Sequence, residues 1–419
     1  MFPNERIQNG VQFFISKRSE LKILYLTWDG PQTTYLESLF LPIFRRLQDQ
    51  GIRFSVRQYS WGDRGRCLER EAACQTIGVP YKGVTVRRQP SGAGPLLTAL
   101  ADAPRVASLM KSGYADLVLA RSTMPALIAL AASQLSSFPI VFDADGLPLD
   151  ERVEFGGSNP KGLEQKLLRR VEAMAVRHSR SVIVRTEAAR EILFERQGGQ
   201  VSPGKFHIVS NGRDPVVFIP SPPLIREQTR KELGFGSDTP VLVYAGSIGP
   251  QYRLNDMLLL LQQVMLKRPD ARLLILTGDT QRAQDSIIQF SSHLAMSCDV
   301  RSASFDQIPR YLSAGDAGIS FRTPSLSMRA VAPIKIGEYL LCGLPVVGTP
   351  GIGDIDAAVA ADVFFPVEID SPTAIQSAAG WVLRGLADTR RRQAARQIGI
   401  DRFSLSASAS SYFDALFYR

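Results

Sequence analysis

Residues 333–354 read PIKIGEYLLCGLPVVGTPGIGD. A short stretch carrying Lys335 and Glu338 runs into the apolar LPVV at 344–347, and a loop with Gly348, Gly351 and Gly353 follows. Helix, buried strand and glycine turn in succession form the repeating unit of a sheet wound with helices. The same stretch poses a chemical question. Lys335 and Glu338 stand at i and i+3, neighbours on one helix face. They form a surface ion pair, or they grip a ligand, with a cation for phosphate and a carboxylate for a sugar hydroxyl.

The unit recurs outward in both directions. LKILYLT (21–27), RFSVRQY (53–59), DLVLAR (116–121), PIVFDAD (139–145) and SVIVRT (181–186) read as strands in the first half. VLVYAGS (241–247), ARLLILTGD (271–279), AGISFR (317–322), PVVGT (345–349) and DVFFPV (362–367) repeat the scheme in the second. Helix-like segments separate them, such as TTYLESLFLPIFRRLQDQG (33–51), which ends on a glycine stop. Strands that are apolar throughout belong to parallel sheets covered on both faces. The expectation is an α/β chain of two doubly wound, Rossmann-like domains. The first spans 1–217, a proline-rich linker with a short helix spans 218–237, and the second begins at 238. Ligands of such sheets bind at the carboxyl ends of the strands, here in the cleft between the domains.

Composition narrows the classes. With 419 residues, 45% hydrophobic and 21% charged, the chain is globular rather than disordered. Its longest apolar span, PALIALAASQL (125–135), is far shorter than the roughly 20 residues a membrane span requires. The start, MFPNERIQNG, has no apolar core followed by a small-residue cleavage site, so no signal peptide is expected. Cys67, Cys74, Cys298 and Cys342 form no C-x-x-C pair, and His178, His207 and His293 are scattered. Free thiols in a cytoplasmic protein, without a zinc site, are expected. Of the net charge of +9, residues 1–217 carry +8. That excess suits an anionic partner or is simply solvated surface charge. No nucleic-acid motif occurs, and the aromatics do not interleave with the basic residues, so no nucleic acid is expected.

Four loops at strand ends face the expected cleft. In YAGSIGPQYRLNDML, Gly246, Ser247 and Gly249 follow a strand and Arg253 precedes a helix. Glycines allow close backbone approach, and helix N-terminal amides with a nearby Arg bind phosphate oxygens. On its own this loop reads equally as an ordinary βα turn. TGDT (277–280) brings Asp279 to a strand end, where a base or ribose edge would lie. SFRTPSLSMRAVAP (320–333) is polar and irregular, and the opening stretch is the fourth.

Together, YAGSIGPQYRLNDMLLLL, LLILTGD and PIKIGEYLLCGLPVVGT resemble the donor half of retaining glycosyltransferase family 4, of GT-B fold. SNGRDPVVFIP (210–220) is similar to that family's N-G-x-D-x-x-x-F-x-P segment between the domains. FSLSASASSYFDALF (403–417) is similar to its terminal helix, so 238–395 would be the donor domain and 396–419 a helix returning to the first domain. The resemblance implies a nucleotide-sugar donor, with Glu338 on the ribose. Arg253 and Lys335 would neutralise the diphosphate in place of a metal, with Gly246 and Ser247 against the phosphates. Gly30, in TWDGPQTTYLES, would face the diphosphate from the other side. No cofactor and no metal are expected. The reaction implied is hexosyl transfer with retention to a glycan or lipid-diphosphate-linked acceptor, in surface-polysaccharide assembly. An anionic membrane surface at the inner face of the cytoplasmic membrane is the further expected partner. A nucleotide-sugar epimerase and a non-catalytic sugar-nucleotide-binding subunit are the alternatives.

One departure stands out. The family's Glu-x7-Glu pair would place its first acid at position 330, which is Ala330 here. A P-x-K-x-x-E-Y version without that acid resembles a branch of surface-polysaccharide enzymes. Two D-x-D triplets, at 143–145 and 354–356, raise a metal-dependent alternative. In FDADGLPLDE (142–151), Asp143 or Asp145 would hydrogen-bond the incoming acceptor hydroxyl, or serve as a turn or capping aspartate. Arg121 and Arg185, each at a strand end, meet an anionic acceptor or belong to the framework. His178 and His207 read as surface and strand-flanking residues. No G-x-S-x-G occurs, which excludes a nucleophile-elbow hydrolase.

Overall fold

The computed structural model describes residues 20–418 apart from 63 and 91; the leading MFPNERIQNG lies outside them. Seven strands, β1 (Leu21–Trp28), β2 (Ile52–Ser60), β3 (Tyr81–Thr85), β4 (Leu117–Arg121), β5 (Ile140–Asp143), β6 (Ser181–Val184) and β7 (Phe206–Ile208), form one sheet in the order 3-2-1-4-5-6-7. Six more, β8 (Val241–Ala245), β9 (Arg272–Leu276), β10 (Cys298–Arg301), β11 (Ala317–Ser320), β12 (Val346–Gly348) and β13 (Phe364–Pro366), form a second in the order 10-9-8-11-12-13. Every pairing within them is parallel, with Leu21 against Ile52 and Val241 against Arg272 setting two of the registers. The order reverses between β1 and β4 in the first sheet and between β8 and β11 in the second. Those reversals open crevices at the strands' carboxyl ends.

The central strands form because they are apolar on both faces. Val241–Ala245 is buried at all five positions, and β4, β5, β6 and β11 are buried throughout. Each sheet packs a hydrophobic layer on either face. The strands that sequence pattern does not reveal are β3, β7 and β10, all at sheet edges. YKGVT and CDVR are half-exposed and FHI is three residues long, so none carries an apolar run. His207 lies inside β7 rather than beside it.

Two boundaries differ from expectation. The segment 218–237 is not a free linker: its helix Pro223–Glu232 packs on the helix Ile308–Ala314, and Leu233 and Phe235 enter the second domain's core. Helix Thr389–Phe403 packs on the Lys335 helix, so the return begins at Ser404 and not at 396. The returning helix, Leu405–Phe417, buries Leu405, Ala409, Tyr412, Ala415 and Leu416 among Ile23, Tyr25, Phe40 and Phe44 of the first domain.

The chain therefore crosses between domains twice, and the crossings touch. The Arg213 amide donates to the Phe403 carbonyl at 2.9 Å, and the Leu405 amide donates to the Arg213 carbonyl at 2.7 Å. A Cβ on Gly212 would stand 2.6 Å from the Ser404 carbonyl oxygen and 2.6 Å from Ser408 Cβ, so only glycine permits the approach. Among the described residues no helix is long and apolar enough to cross a membrane.

Candidate active site

A cleft of about 600 Å³ lies between the two sheets' carboxyl ends. The second domain contributes the loop after β8, the strand ends of β9 to β11 and the helix Ile334–Leu341. The first contributes Tyr35, Leu39, Arg121, Asp145, Glu151 and Arg185 among others.

Helix Ile334–Leu341 is fixed by a buried tyrosine. Tyr339 OH accepts from the Ala245 amide at 2.8 Å and donates to the Ile319 carbonyl at 3.3 Å, tying the helix to the ends of β8 and β11. Lys335 then projects into the cleft. Its ammonium lies 4.6 Å and 4.8 Å from the Tyr244 and Tyr252 ring centroids and donates to Tyr244 OH at 3.2 Å. Among the described residues it makes no ion pair. Burial, with Arg322 adding to it against the opposing pull of Glu338, pushes its pKa down to about 7. Gly246 has φ +153°, and a Cβ there would land on the Lys335 ammonium. Glycine is what leaves the lysine its place.

Lys335 and Glu338 do not pair with each other. Glu338 Oε1 accepts from Arg213 Nε at 2.8 Å, and Arg213 Nη1 donates to the Ser38 carbonyl at 2.7 Å. Both partners are less than a tenth exposed. Neither sequence alternative anticipates a guanidinium from the hinge on the expected ribose carboxylate. The second cation of this wall is Arg322, two residues past β11, stacked 4.9 Å from the Tyr252 ring centroid and in no ion pair among the described residues.

Arg253 is not that cation. Its Nε donates to Asp256 at 2.7 Å and its Nη2 to Asp370, and it does not line the cleft. Its left-handed backbone (φ +49°) sets the start of helix Leu254–Met265, so the side chain turns to that helix's first-turn carboxylate. Asp279 sits before the helix Thr280–Phe290, outside the lining; its neighbours Thr277 and Gly278 are inside, with Ser302 and Ala303 opposite. Gly30 is also outside. Its carbonyl accepts from the buried Arg70 at 2.9 Å, and Arg70 also holds the Thr33 carbonyl at 2.9 Å, which shapes the loop bringing Tyr35 and Leu39 to the cleft. Gly246, Ser247, Lys335, Glu338 and Asp145 do converge there.

The D-x-D triplet at 143–145 splits. Asp143 is fully buried, accepting from Arg185 at 2.6 Å and from Tyr412 OH on the returning helix at 2.8 Å, and no substrate reaches it. Asp145, held at φ +53°, which Asp tolerates better than most residues, faces the cleft. Arg121 Nη2 donates to it at 2.5 Å, and Arg185 Nε lies 3.5 Å away. Burial raises the Asp145 carboxyl above the usual carboxylate range, with Asp143 and Asp29 adding to the rise and the two arginines opposing it. Arg121 also pairs with Asp29 at 2.9 Å, so both arginines are framework residues of this wall as well as lining. Asp354, from the second triplet, accepts from the Glu187 amide at 3.1 Å across the domain interface. Among the described residues no three His, Cys, Asp or Glu gather to hold a metal. Ala330, at the missing-acid position, is fully buried against the first domain's core and lines the cleft floor.

Arg322, Arg213 and Glu151 are the site residues that sequence reading passes over. Arg322 had a signal, since it is the first polar residue after an apolar strand at a reversal of strand order. Arg213 stood in the quoted SNGRDPVVFIP without one.

Residues 38–212 match a family model described as a glycosyl transferase 4-like domain. Among solved structures, Alr3699/HepE of Anabaena in complex with UDP superposes with a TM-score of 0.71 at 18% identity, covering 94% of this chain and 99% of that one. The same protein with UDP-glucose gives 0.69 at 18%, covering 95% and 99%. A glycosyltransferase of Rickettsia africae gives 0.71 at 15%, covering 96% and 100%. WaaG, a glycosyltransferase involved in lipopolysaccharide biosynthesis, gives 0.67 at 15%, covering 95% and 100%. At these identities the likeness is one of fold. No curated protein matches the sequence.

Proposed function

We propose that the chain, with its glycosyl transferase 4-like match over 38–212 and a GT-B fold across both halves, is a glycosyltransferase that moves a hexosyl group from a nucleoside-diphosphate sugar to a hydroxyl of a glycan or lipid-linked acceptor. The observation that carries this is the two cations, Lys335 and Arg322, in no ion pair among the described residues, on one wall of the cleft beside Gly246 and Ser247. Glycosyl transfer breaks the bond between the sugar's anomeric carbon and the diphosphate, leaving negative charge on the departing oxygen. Fixed cations there stabilise the transition state more than the ground state. Lys335 and Arg322 take the diphosphate in this reading, and no divalent ion is required. Glu338 holds the ribose, and the base lies between Thr277–Gly278 and Ser302–Ala303. UDP is the first nucleotide to test, because Alr3699/HepE was solved with it.

Transfer proceeds with retention in this proposal, as the family resemblance implies. The acceptor enters along the first domain, with Asp145 accepting from its hydroxyl. A peripheral seat on an anionic membrane is part of the same reading. Helix Leu163–His178 leaves Leu163, Leu167 and Met174 exposed beside Lys166, Arg170 and Arg177, an amphipathic face of the kind that settles on anionic lipid. Equal recovery with neutral and anionic vesicles in flotation would dismiss that part.

The main test is thermal stabilisation by a panel of nucleoside diphosphates with chelator present. About 100-fold excess of ligand over Kd adds about 2.7 kcal/mol to stability. A shift with one nucleotide that is lost in Lys335→Ala and Glu338→Ala supports the reading; no shift with any nucleotide for the folded protein refutes it. Release of nucleoside diphosphate with cell-derived glycan acceptors separates a transferase from a binding subunit.

A further inference from the structure

Among the described residues that line the cleft, charge divides by wall. The donor wall holds Lys335 and Arg322, neither in an ion pair. On the opposite wall both cations are already spent inside the framework. Arg121 lies between Asp29 and Asp145, and Arg185 between Asp143 and Asp145 with Tyr412 OH at 3.0 Å. Arg213, at the hinge, is taken by Glu338.

The carboxylates are the groups left facing the space. Glu151, on the helix Pro148–Glu154, lines the cleft, and its carboxylate has no hydrogen bond or ion pair among the described residues. Burial raises its pKa, Asp145 and Glu154 add to the rise, and Arg322 across the cleft opposes it. Counting the two aspartates behind the wall, four carboxylates stand against two guanidiniums. Around them the lining is Tyr35, Leu39 and Pro148, a surface for a sugar face rather than for an ion.

We propose that the reacting end of the acceptor is a sugar that is neutral or carries an amine, its hydroxyls bound by Asp145 and Glu151, and that sugars with a carboxylate or phosphate at that end are rejected. This rests on the reading that the first-domain wall takes the acceptor. A second anion placed within about 4–6 Å of these carboxylates meets direct like-charge repulsion in a partly desolvated site. A hydroxyl donates to the same oxygens. The basic excess of residues 1–217 therefore does not belong to the reaction site. A lipid diphosphate, where the acceptor carries one, stays away from the reacting ring.

The test uses the full chain saturated with UDP and saturation-transfer NMR with four probes at equal concentration: methyl glucoside, methyl glucosaminide, methyl glucuronide and glucose 6-phosphate. The expected result is transfer to the first two and a signal about tenfold weaker or less for the two anions. Glu151→Gln narrows the gap and Glu151→Lys reverses it. Anionic probes that bind the unaltered protein as well as neutral ones, a preference that the Glu151 variants leave unchanged, or no transfer to any probe, overturn the proposal. Thermal stabilisation by UDP on the same samples separates the two failures. If UDP binds and the charge preference is absent, only the acceptor inference falls; if no nucleotide binds, the functional reading beneath it falls too.

Discussion

Arg213 and Glu338 form an ion pair of 2.8 Å that bridges the hinge segment and the donor-side helix, with the same guanidinium holding the Ser38 carbonyl of the first domain. One side chain thus touches both domains and the carboxylate assigned to the ribose. Removing one member of a buried pair leaves the other charge uncompensated, at a cost of about 3–5 kcal/mol. Arg213→Ala is expected to lower stability by about that much in urea unfolding and to weaken nucleotide binding. The double variant with Glu338→Ala costs less than the sum of the two singles, the sign of direct coupling.

Lys335 gives the apo protein a pH dependence with a definite sign. Its folded pKa, about 7, lies below the unfolded value of 10.5, so between those values the unfolded chain holds a proton the folded one has lost. Stability therefore rises with pH across that window through this group. A bound diphosphate restores the proton, so nucleotide affinity falls as pH rises above about 7. Calorimetry in buffers of different ionisation enthalpy is expected to show proton uptake near pH 8, absent in Lys335→Met.

Gly246→Ala is expected to disable donor binding without contact between the new methyl and the donor. The methyl takes the space of the Lys335 ammonium, and φ +153° strains any residue with a Cβ. Affinity for the nucleoside diphosphate falls at least as far as in Lys335→Ala. Adding Lys335→Ala to Gly246→Ala restores part of the lost stability and none of the affinity, as isothermal titration and melting would read.

The two aspartates of one triplet are expected to fail differently. Asp143→Asn loses a buried charge paired with Arg185 and costs about 3 kcal/mol or more, with activity tracking the folded fraction. Asp145→Asn folds, and its rate of nucleoside diphosphate release with acceptor falls about 100-fold or more. Equal stability losses, or an unchanged rate for Asp145→Asn, would reject this division.

Asp354 caps a helix of the other domain through the Glu187 amide, and Glu154 returns the favour by accepting from Ser325 Oγ at 2.7 Å. Cap removal typically costs about 1 kcal/mol. Here Asp354→Ala is expected to enlarge the apo radius of gyration in small-angle scattering, with saturating nucleotide restoring compactness.

Much of the architecture was legible because burial on both faces writes strands as continuous apolar runs. VLVYA and LVLAR could be little else. The edges were not, since YKGVT and CDVR bury only part of their surface and look like turns. In the site, Lys335 and Gly246 stood in stretches that sequence singled out, though spacing left their roles open and only the family resemblance supplied them; both line the cleft. Arg253 misled, as its side chain is decided by a left-handed backbone and the carboxylates of Asp256 and Asp370. Asp143 and Asp145 look alike in FDADG. Only the sheet shows that one points into the core and the other into the cleft. Arg213 lies 125 residues from Glu338 in sequence, a separation no local pattern spans.

The returning helix sets an order on biosynthesis. Leu405, Ala409, Tyr412 and Ala415 complete the packing against helix Leu41–Gln48, β6 and β7, so the first domain to leave the ribosome is the last to finish folding. Its sheet must wait, partly uncovered, while nearly two hundred further residues are made, and the second domain can close first. A fragment ending at 217 would contain every strand of that sheet and still lack the helix that finishes covering one of its faces.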